Sequence, residues 1–158
     1  MFQVGDKVVY PMHGAGIIEA IEEKEVLGQI RRYYVMRLPL GDMKIMIPMS
    51  SVKDVGLRQV IDSTSVDLVL TILGDRSNTM TAAWNRRYRA NLDKLRSGNI
   101  FEVAEVIKNL ALREKEKGLS TGEKKMLESA RQILVSELVL AGNRREEEVV
   151  SLVQGALA

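Results

Sequence analysis

Apolar positions along this chain change their spacing once, close to residue 60. Before that point they fall in short runs that alternate with polar residues and stop at glycine or proline, the pattern of half-buried strands. Val4–Tyr10 is rich in β-branched residues and ends at Pro11. Gly14 and Gly16 read as flanking a turn, and Ile17–Glu25 follows with Ile17, Ile18 and Ile21 as its apolar points. Gly28 marks the next turn, and Arg31–Leu38 carries Tyr33, Tyr34 and Val35, which favour an extended chain. Pro39-Leu40-Gly41-Asp42 reads as a tight connection into a partly buried strand over Met43–Met49. Four or five short strands in so few residues predict a small, strongly bent sheet or SH3-like barrel.

From Ser63 onward the period becomes helical. Ser65 is placed to cap a short helix ending at Gly74, and a polar connection over Asp75–Met80 leads to a helix from Thr81 to Ser97, stopped by Gly98. Three capping-box pairs follow, each just after a glycine: Asn99 with Glu102, Ser120 with Glu123, and Asn143 with Glu146. They predict helices reaching Gly118, Gly142 and about Ala156. The chain is therefore expected to be α+β with its parts in series. A β domain over residues 1–58 precedes an all-helical bundle of about five helices over residues 63–158.

Composition narrows the chemistry. There are no cysteines, which removes disulfide scaffolds, thiol catalysis and Cys-ligated zinc, and fits a reducing compartment. No charged-then-apolar leader opens the chain and no apolar stretch approaches the ~20 residues that span a bilayer, so a soluble, cytoplasmic protein is expected. His13 is the sole histidine, placed to stabilise a turn rather than bind metal, and no P-loop, HExxH or Ser/His/Asp set occurs. Neither catalysis, a metal nor a cofactor is expected.

The formal charge is only +2, so a basic surface must come from patterning. Residues 76–96 supply it, with six Lys/Arg against one Asp, around the only tryptophan: Trp84-Asn85-Arg86-Arg87-Tyr88-Arg89. A flat ring beside fixed positive charge suits phosphates and a base step together. Trp84, Tyr88, Leu92 and Leu95 also share one helical stripe, which is how a plain core residue would be spaced. Against that, Trp84 sits in a first turn, where N–H groups and the dipole favour anions. Arg113 and Lys124, either side of the Gly118–Gly122 turn, would flank a duplex if that turn lies beside Trp84. In the β half, Pro48 marks Met43–Met49 as an edge strand open to pairing with another protein, and Tyr10, Tyr33 and Tyr34 raise a peptide-binding aromatic cage as a further reading.

Three segments resemble the CarD/CdnL family of bacterial transcription regulators: Val4-Gly5-Asp6-Lys7-Val8-Val9-Tyr10-Pro11-Met12-His13-Gly14, Trp84-Asn85-Arg86-Arg87-Tyr88-Arg89-Ala90-Asn91-Leu92, and Gly118-Leu119-Ser120-Thr121-Gly122-Glu123-Lys124-Lys125-Met126-Leu127. The resemblance implies a Tudor-like β domain that docks on the RNA polymerase β subunit, through Lys24 and the strand Lys44, Ile45, Met46, Ile47 and Pro48. It implies a helical half that contacts promoter DNA near the upstream edge of the −10 element, with Trp84 wedged in the minor groove. Arg86, Arg87, Arg89, Arg113 and Lys124 would be the basic DNA-facing residues. Met46 departs from a relative that has arginine in that strand, leaving strand pairing and apolar contact to dock it. The resemblance further implies a monomer with no membrane partner, nucleoid-associated through polymerase. The alternative is an architectural DNA binder that works without polymerase.

Overall fold

The computed structural model describes every residue except Leu40, Gly41, Thr79, Thr81 and Ala82. The expected turn at Leu40-Gly41 and the expected helix start at Thr81 therefore lie outside the described residues. Among those described, the first half is a five-stranded antiparallel sheet in the order β4-β3-β2-β1-β5. Its strands are β1 (Lys7–Tyr10), β2 (Gly14–Val26), β3 (Gln29–Leu38), β4 (Met43–Pro48) and β5 (Arg58–Gln59), with a single turn of helix, α1 (Val52–Val55), between the last two. Five helices follow: α2 (Val66–Gly74), α3 (Trp84–Arg96), α4 (Ile100–Glu116), α5 (Thr121–Gly142) and α6 (Glu146–Leu157). The chain is α+β, strands first.

The turn from β1 to β2 is not where the two glycines suggested. It falls on Pro11–His13, with Met12 at φ 72° and the His13 N–H donating to the Tyr10 carbonyl at 2.9 Å. Gly14 and Gly16 lie inside β2 instead. Gly16 is needed for strand contact: a Cβ there would stand 2.4 Å from the Arg37 carbonyl oxygen of β3. Leu27 and Gly28 make a two-residue hairpin with both φ positive, the primed-turn geometry that matches strand twist.

Two of the predicted caps need correction. Ser65 makes no side-chain cap at α2; Asp62 takes that role one short turn earlier, its carboxylate accepting from the Ser65 N–H at 3.0 Å and from the Thr64 and Ser65 hydroxyls. Those hydrogen bonds hold the Asp62 carboxyl below its usual range. Asn143 does not start α6 either. It ends α5 in the left-handed conformation at φ 50°, and the residue preceding α6 is Arg145, which offers no side-chain cap. An asparagine suits both roles, so the spacing to Glu146 was ambiguous. Asn99 and Ser120 do cap α4 and α5, through the Phe101 and Glu123 N–H groups.

Two large cores and a small seam hold the molecule together. The sheet closes over Val8, Ile18, Tyr34, Met36, Leu38, Ile47 and Leu57. Tyr34 is sealed there with its hydroxyl bonded to the backbone of Phe2, so it takes no part in an aromatic cage. The helices bury Val69, Leu73, Ala104, Ile107, Leu110, Ala130 and Leu134, among others. Each fully buried aliphatic side chain contributes about 1.5–3 kcal/mol. Between the halves, Val9 and Ala15 of the sheet meet Leu140 of α5. The Ala15 N–H donates to Ser136 Oγ at 2.8 Å, and Lys7 Nζ donates to the Leu140 carbonyl and to Asn143 Oδ1. Among the described residues no helix is long and apolar enough to cross a membrane, and no cluster of three or more metal-ligating side chains occurs.

Candidate nucleic-acid interface

The first turn of α3 has no acidic residue of its own and no side-chain cap, and Arg86 stands in it, so its own residues do not oppose the positive dipole end. Trp84 stands in that turn and is 45% exposed. Its ring stacks on Tyr88, four residues on, with centroids 5.2 Å apart and planes 20° from parallel. Its Nε1 donates to Ser120 Oγ at 3.0 Å. The indole is thereby held by one edge and by its stack on Tyr88, with nearly half of the residue open to solvent. Further along the same stripe Leu92 is half-buried and Leu95 is buried. The stripe that looked like core is core at its far end and open at Trp84.

Ser120 joins two helices at this point. Its hydroxyl accepts from Trp84 and from the Glu123 N–H, and donates to Glu123 Oε1 at 3.2 Å. A Cβ on Gly122 would lie 3.6 Å from Tyr88 Cε2, so the first turn of α5 packs on the tyrosine that carries the indole. Lys124 is exposed on that turn, and Arg86 and Arg89 are exposed on α3. The turn after Gly118 does lie beside Trp84. Arg113 is half-buried in the last turn of α4, and Lys115 is drawn to the Leu157 carbonyl at the end of α6.

Arg87 is the exception among the expected DNA-facing residues. It is 2% exposed and forms a fork with Glu123, itself 1% exposed, at 2.6 Å from Nε to Oε2 and 3.0 Å from Nη2 to Oε1. Helical spacing explains the reversal. Arg86 and Arg89 straddle the face that turns outward, whereas Arg87 shares the inward face with Asn91. Arg87 therefore binds α3 to the head of α5 and holds the indole's platform in place, rather than touching phosphate.

The same fork moves both ionisations. Hydrogen bonding to Arg87 holds the Glu123 carboxyl below its usual range against the opposing effect of burial, and hydrogen bonding to Glu123 raises Arg87 further. A carboxyl whose folded pKa is depressed adds stability above its unfolded value, here about 4.5, and that stability disappears as pH falls through the folded value. Arg87 stays protonated throughout. Acid titration of the native protein should thus show stability falling below about pH 4.5. Chemical denaturation of Glu123→Gln over the same range should show a shallower fall. Identical slopes would remove Glu123 from the acid transition.

On the sheet, β4 is an edge strand paired only with β3. Its side chains alternate: Ile45 packs against the sheet core and Ile47 is buried, whereas Lys44 and Met46 face out, Met46 at 37% exposure. Ile47 therefore offers a partner its backbone and not its side chain. Pro48 is half-buried at the strand's end. Lys44 bonds Glu19 across the sheet at 2.7 Å, which raises its pKa. Lys24 pairs in register with Arg31, beyond the Tyr33 position where β4 ends, on a projecting two-stranded ribbon whose tip exposes Leu27 and Ile30.

Arg58 and Glu137 escaped the sequence reading. Glu137 is fully buried and forks with Arg58 at 2.6 and 2.8 Å, while Arg58 Nε donates to the Gly98 carbonyl at 2.7 Å and the Ile61 N–H donates to Glu137. The one visible signal was a lone charge inside the apolar run Ile133-Leu134-Val135-Ser136-Glu137-Leu138-Val139-Leu140.

Residues 2–61 match the family profile described as CarD-like/TRCF RID domain, and residues 68–154 match CarD, C-terminal domain. The candidate transcription factor YdeB of Bacillus subtilis (strain 168) is 43% identical over 151 residues, 96% of this chain and 99% of its own length. The solution NMR structure of the 72-residue N-terminal domain of Myxococcus xanthus CarD is 37% identical where it matches, over 37% of this chain and 79% of its own. The TM-score of that match is 0.33. Two profiles in series, on the sheet and on the helices, together with a full-length relative, carry the assignment: the chain belongs to the CarD family of non-catalytic transcription factors, with an RNA polymerase-interacting domain at its head.

Proposed function

We propose that this protein binds the polymerase β subunit through the β4 edge and stabilises the open promoter complex by wedging Trp84 into the minor groove. The groove would be the one near the upstream edge of the −10 element. The observation that carries this is the half-exposed indole, propped by Tyr88 and Ser120 in the first turn of α3 with Arg86 and Arg89 on the same helix. Lys124 and Arg113 extend the positive rim. Residues 1–58 do the docking and residues 63–158 the DNA work, as a monomer in the cytoplasm, nucleoid-associated through polymerase.

Docking makes modest DNA affinity sufficient. A site tethered next to the promoter acts at an effective concentration of ~mM. Unstacking a base step costs about a few kcal/mol, which contacts available only in the opened groove offset. A ligand shifts an equilibrium by its differential affinity alone. An extra ~1.4 kcal/mol for the melted state changes the population ratio about tenfold.

The docking half is tested with Met46→Glu. A carboxylate placed on the outward face of β4 repels an apolar partner while leaving the half-buried Ile45 and buried Ile47 positions alone. Affinity for polymerase should fall about tenfold or more, as expected of an anchor residue at an interface, with the circular dichroism of the helices unchanged. Undiminished binding would move docking away from β4. The alternative, a polymerase-independent DNA binder, requires tight duplex binding by the isolated protein with a log–log salt slope near −0.9 per phosphate neutralised. The net charge of +2 argues against it.

A further inference from the structure

Two Arg–Glu forks, one sealed and one with a partly exposed arginine, use carboxylates of one helix. Glu123 at the head of α5 holds Arg87, and Glu137 on the same helix holds Arg58. Fourteen residues of α-helix separate them, about 21 Å at 1.5 Å per residue. The first fork fixes the helix that carries Trp84; the second holds β5, the outer strand at the end of the sheet opposite β4, because Arg58 belongs to it. We infer that α5 is a rigid spacer and that the Arg58–Glu137 fork is a positioning device, setting the direction in which Trp84 points relative to the β4 edge. The inference rests on the docking and wedge reading above.

Several observations converge on Arg58. Its guanidinium satisfies both oxygens of Glu137 and also reaches the Gly98 carbonyl, which lies in the turn between α3 and α4. One side chain thus joins the sheet, α5 and the end of the Trp84 helix. The Ile61 N–H bonds the same carboxylate, so the segment leaving the sheet is clamped as well. The rest of the seam packs β2 along α5: Val9, Ala15 and Leu140 meet with Ile17 and Val60 beside them. Gly14 lies against Ser136, Pro11 lies against Gly98, and the Ala15–Ser136 bond and two bonds from Lys7 to the end of α5 complete it. Beside it an open cleft of about 680 Å³ runs between Met12, His13 and Leu38 on the sheet side and Arg131, Val135 and Val150 on the helices. A seam with that much open space beside it depends on directional bonds to hold an angle. A planar fork supplies direction where a point charge does not.

The test uses Arg58→Lys, which keeps a charge opposite Glu137 but not the fork, and Glu137→Gln, which leaves Arg58 charged but partly solvated. The chain has no cysteine, so Gln29→Cys on β3 and Arg96→Cys on α3, both exposed, accept spin labels without background. Pulsed electron paramagnetic resonance on the free protein should give a narrow distance distribution with the native fork and a broadened one in either variant. Polymerase affinity should stay as in the unsubstituted protein, while open-complex lifetime falls by about tenfold or more, since avidity is lost once geometry forbids simultaneous contact. A distribution that stays narrow in both variants overturns the inference. So does a broadened distribution with an unchanged open-complex lifetime. If the unsubstituted protein leaves promoter opening unaffected, the proposed function fails, and the distance measurement by itself then decides whether the fork holds the two halves.

Discussion

Arg87→Met should destabilise the protein by about 3–5 kcal/mol, because it leaves the Glu123 carboxylate buried without its partner. Glu123 is 1% exposed, and the Ser120 hydroxyl is too weak a donor to replace a guanidinium fork. The paired substitution Arg87→Met with Glu123→Leu should recover most of that loss, since apolar residues of similar size often replace a buried ion pair at little cost. Urea denaturation measures both, and the single variant should melt roughly 10 °C or more below the unsubstituted protein. A loss under about 1 kcal/mol would place the pair in solvent-like surroundings and return Arg87 to the exposed face. The consequence for function is indirect: the variant should lose the Trp84 platform by loosening α3 from α5, in proportion to its lost stability.

Trp84→Ala should behave in the opposite way. The half-exposed ring gives the fold little more than its stack on Tyr88 and one hydrogen bond, each of order 1 kcal/mol. Polymerase affinity should be untouched. Aromatic stacking on a base is worth about 1–3 kcal/mol by alanine substitution, so open-complex stability should drop about tenfold or more. Trp84→Phe, which keeps a face but loses the Nε1 donor to Ser120, should fall between. Promoter-opening kinetics and melting curves on the same samples separate the two effects. Equal loss in fold and opening, or no loss in opening, defeats the wedge.

Four of the five strands and all five helices after residue 60 could be read from periodicity, because each element buries one face and its pattern is local. The errors came where one residue type serves two local roles. Asn143 carries the signature of a helix start, yet it ends α5 in a left-handed conformation that asparagine tolerates. Glycines at 14 and 16 look like turn residues, but the second is there to let Arg37 of β3 come close. The edge position of β4 was foreshadowed by Pro48, which cannot donate to a central ladder.

The candidate site divides along the same line. From the order of residues alone came the division into strands and helices, the basic stretch around a single tryptophan, and the family resemblance. All three depend on neighbours in sequence. Which arginine of the stretch faces water, and which is sealed against Glu123, depended on where α5 lies against α3. That Trp84 emerges from its stripe while Leu95 sinks into it depended on the depth of packing along one helix. The Arg58–Glu137 fork joins residues 79 apart, so no local pattern marks it. Burial and pairing are properties of surfaces brought together by folding, and the tertiary structure alone decides them.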